Sequence, residues 1–409
     1  MRSFDELLEN YAMVAVEVGV NLQKGQTLVL RAPMEAKDLV RKIVRRAYEK
    51  GAKYVHVELG DEELSRIMFF HASDEALTYY PMWRAKGYEE MAAEGAAFLQ
   101  IYSPNPDLLK DVDPKRYATA MKTASTALKA YRSYLMDDRA PWSLISVPTE
   151  GWTKKVFPDL PLEEGMKLFW EKIFSITRVD AEDPIVAWKE HNGRLHQKVA
   201  ELNEKQYRQL IYTAPGTNLT IDLPEGHVWN GGYSLTPDGR PFNPNIPTEE
   251  VFTMPHREGV NGVVRSTKPL NYGGNLIENF SFTFKNGKVV DFTAEKGYET
   301  LKHILDTDEG ARHLGEVALV PHHSPISNSN LLFYNTLYDE NASCHIALGE
   351  AYPTCLTGGE KMSKEELKAA GANDSLIHED FMIGSAELNI DGITKDGKRE
   401  PIFRNGNWA

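Results

Sequence analysis

The run Gln26-Thr27-Leu28-Val29-Leu30-Arg31, the segment Glu35–Lys50, and the run Lys53-Tyr54-Val55-His56-Val57-Glu58-Leu59 together decide the fold. The first and last are short apolar runs of strand length, and the middle has apolar residues at helical spacing and stops at Gly51. A strand–helix–strand unit of this kind crosses over right-handed into a parallel sheet. Outward from it the pattern continues. Phe4, Leu7, Leu8, Tyr11, Val14, Ala15 and Val18 mark an amphipathic helix over residues 3–22. Downstream come a helix near Tyr88–Glu94, a strand at Ala97–Ile101, a helix over Pro114–Met136 and a strand at Trp142–Val147. Residues 1–184 therefore read as an α/β domain, doubly wound around a mostly parallel sheet. No G-x-G-x-x-G or G-x-x-x-x-G-K-[ST] follows any of its strands, so a scaffold or oligomerisation role is favoured over nucleotide binding.

Helices over Leu162–Ile176 and Ile185–Leu202 lead into a different texture. From Tyr207 onward strands follow one another closely, and Phe280–Phe292 alternates around Asn286-Gly287, a strong hairpin signal. Short helices intrude at Tyr298–Leu305 and Lys364–Ala370. Residues 185–409 are expected to form an α+β domain rich in antiparallel sheet.

Composition narrows the partners. The 409-residue chain is 42 % hydrophobic and 26 % charged, ordinary values for a globular protein. Its net charge of −13 disfavours nucleic acid or an anionic membrane as the main partner. No apolar run approaches the roughly 18 residues of a membrane span, and acidic residues occupy the N-terminus where a secretory signal needs an apolar core. With two cysteines, Cys344 and Cys355, no disulfide framework is expected. These features point to a cytoplasmic location.

Chemistry concentrates between Gly315 and Asp380, where carboxylates and imidazoles stand at the ends of apolar runs. A charge there is costly to bury unless it is paired or coordinates a metal. In His378-Glu379-Asp380, strand alternation puts His378 and Asp380 on one face and Glu379 on the other. That pair suits a divalent metal, although for the motif standing alone an ordinary His–Asp hydrogen-bonded pair is the favoured reading. Glu316 opens the strand Glu316–Val320; Glu340 and His345 are five residues apart; Tyr352 precedes a turn at Pro353. Either Glu249 or Glu250 can face inward at the strand beginning near Val251, since alternation does not decide between them. His322-His323 is a reserve in a polar loop, and the cysteines read as small buried hydrophobes.

No H-E-x-x-H or G-x-S-x-G is present, which removes the zincin and serine-hydrolase classes. In order, Glu250, Glu316, Glu340, His345, Tyr352 and His378-x-Asp380 resemble the metal-site series of the thermophilic-type metalloaminopeptidases, the family of aminopeptidase T and aminopeptidase S. The resemblance covers the whole chain. It implies an exopeptidase cleaving the N-terminal bond of peptides, with 185–409 as catalytic, metal-binding domain. It further implies two divalent ions (Zn, Co, Mn or Mg) held by Glu250, Glu316, Glu340, His345, His378 and Asp380, with Glu316 bridging and a hydroxide between the ions. Tyr352 would donate a hydrogen bond to the oxyanion, and the enzyme would be a homodimer. The competing expectation is a non-catalytic small-ligand-binding protein with a structural metal site.

Overall fold

The computed structural model describes residues 2–272 and 274–409. The chain divides into two compact units. One comprises residues 1–190 with 233–247, and the other residues 191–232 with 248–409.

The first unit holds a four-stranded parallel sheet in the order β2–β1–β3–β4, with β1 Thr27–Pro33, β2 Tyr54–Gly60, β3 Ala97–Ile101 and β4 Trp142–Ile145. The central strands are apolar on both faces because helices cover them, as a parallel sheet requires. The helix Lys37–Glu49 is the crossover between β1 and β2 and buries Leu39, Val40, Ile43 and Ala47. The N-terminal helix runs Phe4–Val14, opened by a capping box of Ser3 and Glu6, and continues as a wider π turn over Ala15–Gly19. The long helix expected over 114–136 is two, Pro114–Ala127 and Lys129–Met136. The segment 233–247 returns to this unit, where Leu144 donates its N–H to Pro244.

The second unit is built on two sheets. The larger has eight strands in the order Lys288–Thr293, Ser281–Lys285, Val260–Arg265, Thr217–Asp222, Gln209–Ala214, Asn389–Ile393, Arg399–Arg404 and Asn407–Trp408. Its Asn286-Gly287 hairpin has both residues at positive φ, the backbone that a tight two-residue turn demands. The smaller sheet has five strands in the order β9–β8–β7–β6–β5: β5 Asn230–Gly231, β6 Val251–Thr253, β7 Leu314–Leu319, β8 His345–Gly349 and β9 His378–Met382. All its ladders are antiparallel. Val251, Val317, Leu319, Ile346, Leu348 and Phe381 anchor it in a core shared with Phe282 and Ile390 of the larger sheet. The fold class is thus α/β followed by antiparallel-rich α+β. No helix among the described residues is long and apolar enough to cross a membrane.

Candidate metal centre

The site is written in the register of β7, β8 and β9. Glu316, Ala347 and Asp380 stand directly opposite one another, so their side chains share a face. Because Ala347 carries only a methyl group, the space between the two carboxylates stays open. His345 lies two residues before Ala347 on the same face, and His378, opposite Gly349, two before Asp380. Two glycines fix this arrangement. A side chain on Gly315 would meet the Glu350 carbonyl oxygen at 2.2 Å, and one on Gly349 would meet that of Ile377 at 2.0 Å. Gly315 sits in a register shift between Leu314 and Glu316, a bulge that re-aims the following residue.

His345 is nearly inaccessible, and its Nδ1 lies 3.1 Å from the Ser343 carbonyl oxygen. His378 Nδ1 lies 2.7 Å from the carbonyl oxygen of Glu350. A carbonyl only accepts, so each Nδ1 carries the proton and each Nε2 turns its lone pair inward. His345 Nε2 lies 3.1 Å from Glu250 Oε2, 3.5 Å from Glu316 Oε1 and 4.0 Å from Asp380 Oδ1. His378 Nε2 lies 3.5 Å from Glu316 Oε2 and 3.7 Å from Asp380 Oδ1. Glu316 therefore offers one oxygen to each imidazole.

Lone pair facing lone pair at 3.1 Å is repulsive unless a cation or a proton lies between. Among the described residues neither Glu250 Oε2 nor Asp380 Oδ1 has a hydrogen-bond partner, although both are buried. Two triads, Glu250–Glu316–His345 and Glu316–His378–Asp380, each bring three ligand atoms within 4.8 Å of one another. Neutral imidazole nitrogens and carboxylate oxygens are the donors that a borderline divalent ion takes, so this set fits a metal.

Electrostatics says the same. Burial pushes Glu250 and Asp380 above the usual carboxylate range, and neighbouring carboxylates contribute in the same direction. Glu340 goes well above it, through burial and then the charges of Asp380 and Glu250. Burial acts on Glu316 too, but the two imidazoles outweigh it and hold it at about 2. For His378, burial would lower the value, yet Asp380 and Glu316 drive it to about 10. His345 is likewise raised by Glu250 and Glu316 against the effect of burial. Such imidazoles hold a proton only for want of another cation.

The remaining sequence candidates fall as follows. Of the two adjacent glutamates, Glu250 reaches the His345 side, while Glu249 lies 3.7 Å from His191 Nε2. Glu340 opens a short 3₁₀ turn, stands outside both triads and receives a hydrogen bond from Asn341 Nδ2 at 3.3 Å. Tyr352 packs its ring 4.7 Å from that of His378, and its hydroxyl is raised well above the ordinary phenol value by burial and by Glu316. His322 and His323 lie elsewhere, their backbones tied to Gly406 and Asn407. Both cysteines are buried free thiols. The sequence reading passed over Ala347, Gly315 and Gly349; their roles follow from strand register, which has no local signal.

The family model for thermophilic metalloprotease (M29) matches residues 4–408. The chain belongs to this metalloprotease family. Aminopeptidase 2 of Geobacillus stearothermophilus is 64 % identical over 409 residues, covering 100 % of this chain and 99 % of that protein. Aminopeptidase AmpS of Bacillus subtilis is 55 % identical, with 100 % of both chains covered. The solved structure of wild-type AmpT from Thermus thermophilus superposes with a TM-score of 0.94 at 44 % identity, again over 100 % of both chains. The M29 chain is accordingly a metallopeptidase, a hydrolase whose chemistry needs a divalent metal.

Proposed function

We propose that this M29 chain is an aminopeptidase that releases the N-terminal residue of peptides at a two-metal site in residues 185–409. Glu250, Glu316 and His345 would hold one ion and Glu316, His378 and Asp380 the other, with Glu340 adding a further carboxylate to the ring. The observation that carries this reading is Glu316, whose two oxygens each approach a different imidazole at 3.5 Å, the placement of a bridging ligand. Two bound ions (Zn, Co, Mn or Mg) would polarise the scissile carbonyl and bring a shared water towards hydroxide at neutral pH.

The chain's own groups do the rest. Ser343 and Glu350 carbonyls lock the imidazole tautomers, so that neither ring must reorient on loading. Tyr352 donates to the oxygen that gains charge in the transition state. A carboxylate near the ions would anchor the substrate's α-ammonium group, which restricts cleavage to the first residue. Residues 1–184 serve as a scaffold for a cytoplasmic homodimer; the exposed Leu64, Ile67 and Trp83 support an oligomeric role.

A panel of aminoacyl anilides, free and N-acetylated, assayed before and after chelation tests the reading. Hydrolysis should require both a free amine and metal. Equal hydrolysis of acetylated substrates would contradict the exopeptidase assignment, and full turnover after chelation the metal mechanism.

A further inference from the structure

Among the described residues of the two triads, Glu250 alone stands outside the strand ladders, because pairing in β6 begins at Val251. The backbone just before it is fixed in another way. The Thr248 carbonyl and the Glu249 N–H belong to one planar peptide unit. His191 Nε2, on the helix Pro184–Lys205, lies 2.7 Å from the Thr248 carbonyl oxygen. A carbonyl only accepts, so this nitrogen donates. At the other end of the unit, the Glu249 N–H donates to Asn341 Oδ1 at 2.8 Å. Asn341 Nδ2 donates to the Leu337 carbonyl oxygen at 3.0 Å, so two backbone partners of opposite kind fix the orientation of this amide. The same nitrogen reaches Glu340 Oε1 at 3.3 Å. One side chain thus ties the approach to Glu250 to another carboxylate of the ring.

His191, Thr248, Glu249 and Asn341 are all buried, so breaking either bond would strand a donor or an acceptor away from water. A peptide unit gripped at both polar ends cannot rotate. On the far side of Glu250, Val251 is seated in the core, so the backbone is held both before and after this glutamate. Its Oε2 is thereby kept 3.1 Å from His345 Nε2. We propose that His191 and Asn341 are positioning residues that clamp the Thr248–Glu249 peptide unit and so set the affinity of the ion shared by Glu250 and His345. The inference rests on the two-metal reading above and deepens it.

The test is calorimetric titration of the chelated chain with zinc chloride, with the thermal midpoint of the metal-free chain measured alongside. Wild type should show two binding steps. Asn341→Ala should weaken one step by about ten- to a hundredfold and leave the other within about threefold, the usual reach of a group that orients a ligand. His191→Ala should weaken the same step, and His191→Gln, whose amide nitrogen can replace Nε2 as donor, should recover most of that loss. In a Glu250→Ala background, where that step is already lost, neither alanine substitution should alter the remaining one. Equal weakening of both steps, or a further loss in the Glu250→Ala background, would overturn the proposal. So would unchanged affinities with only a lowered midpoint, or a glutamine variant no better than alanine. Should Asn341→Ala fail to fold, the two His191 variants decide by the same criteria. A wild-type chain without two binding steps would remove the two-metal reading, and the clamp's role with it.

Discussion

Glu58 and Glu316 both belong to apolar strands, β2 of the first unit and β7 of the second, yet their charges are answered in different ways. Burial pushes Glu58 up, but Tyr88 Oη donates to it at 2.6 Å, Arg84 pairs with it and His56 lies 3.1 Å away, so it is held at about 2. The chain supplies its own cation there. Around Glu316, three more carboxylates converge, and among the described residues no lysine or arginine pairs with Glu250, Glu316 or Asp380. A half-buried charge with an internal partner is architecture. A ring of buried carboxylates with only imidazoles for company lacks such a partner, and a divalent cation would supply it.

Substitutions can break this contrast, beginning with the largest effect. Glu316→Gln should lower kcat/KM by about a thousandfold or more while far-ultraviolet circular dichroism stays native, because one shared ligand serves both triads. Tyr352→Phe should retain metal and lose about ten- to a hundredfold in kcat, with KM little changed, as expected for a donor used in the transition state. Glu58→Gln should leave turnover untouched and cost roughly 1–2 kcal/mol of stability at neutral pH, a figure reduced for the group's partial exposure. The sign follows from the depressed value. Its stabilisation is full above the unfolded carboxylate value near 4.5 and is lost as pH falls towards about 2. Denaturant titrations of wild type and variant should therefore converge on acidification across that window; a gap that widens would contradict the pairing. The smallest effect belongs to His322→Ala and His323→Ala, where activity should stay within about twofold of wild type.

The same contrast shows what the sequence could reveal. The parallel sheet was legible because its central strands β1 and β3 are buried on both faces and its crossover helix has one apolar stripe. The helix Glu62–His71 was not, because it buries only Phe69 and leaves Leu64, Ile67, Met68 and Phe70 exposed, so its apolar residues trace no inward face. Likewise, the return of 233–247 to the first unit depends on packing against residues far away in sequence. Within the site, His378 and Asp380 shared a face by simple alternation. The choice between Glu249 and Glu250 could not be read, since both precede the regular part of β6.

Metal stoichiometry tests the central claim most directly. Elemental analysis of purified wild-type chain, with peptidase activity followed through chelation and reconstitution, should give about two divalent ions per chain and activity that rises and falls with them. A chain that carries no divalent ion and still cleaves aminoacyl anilides at its full rate would contradict the account.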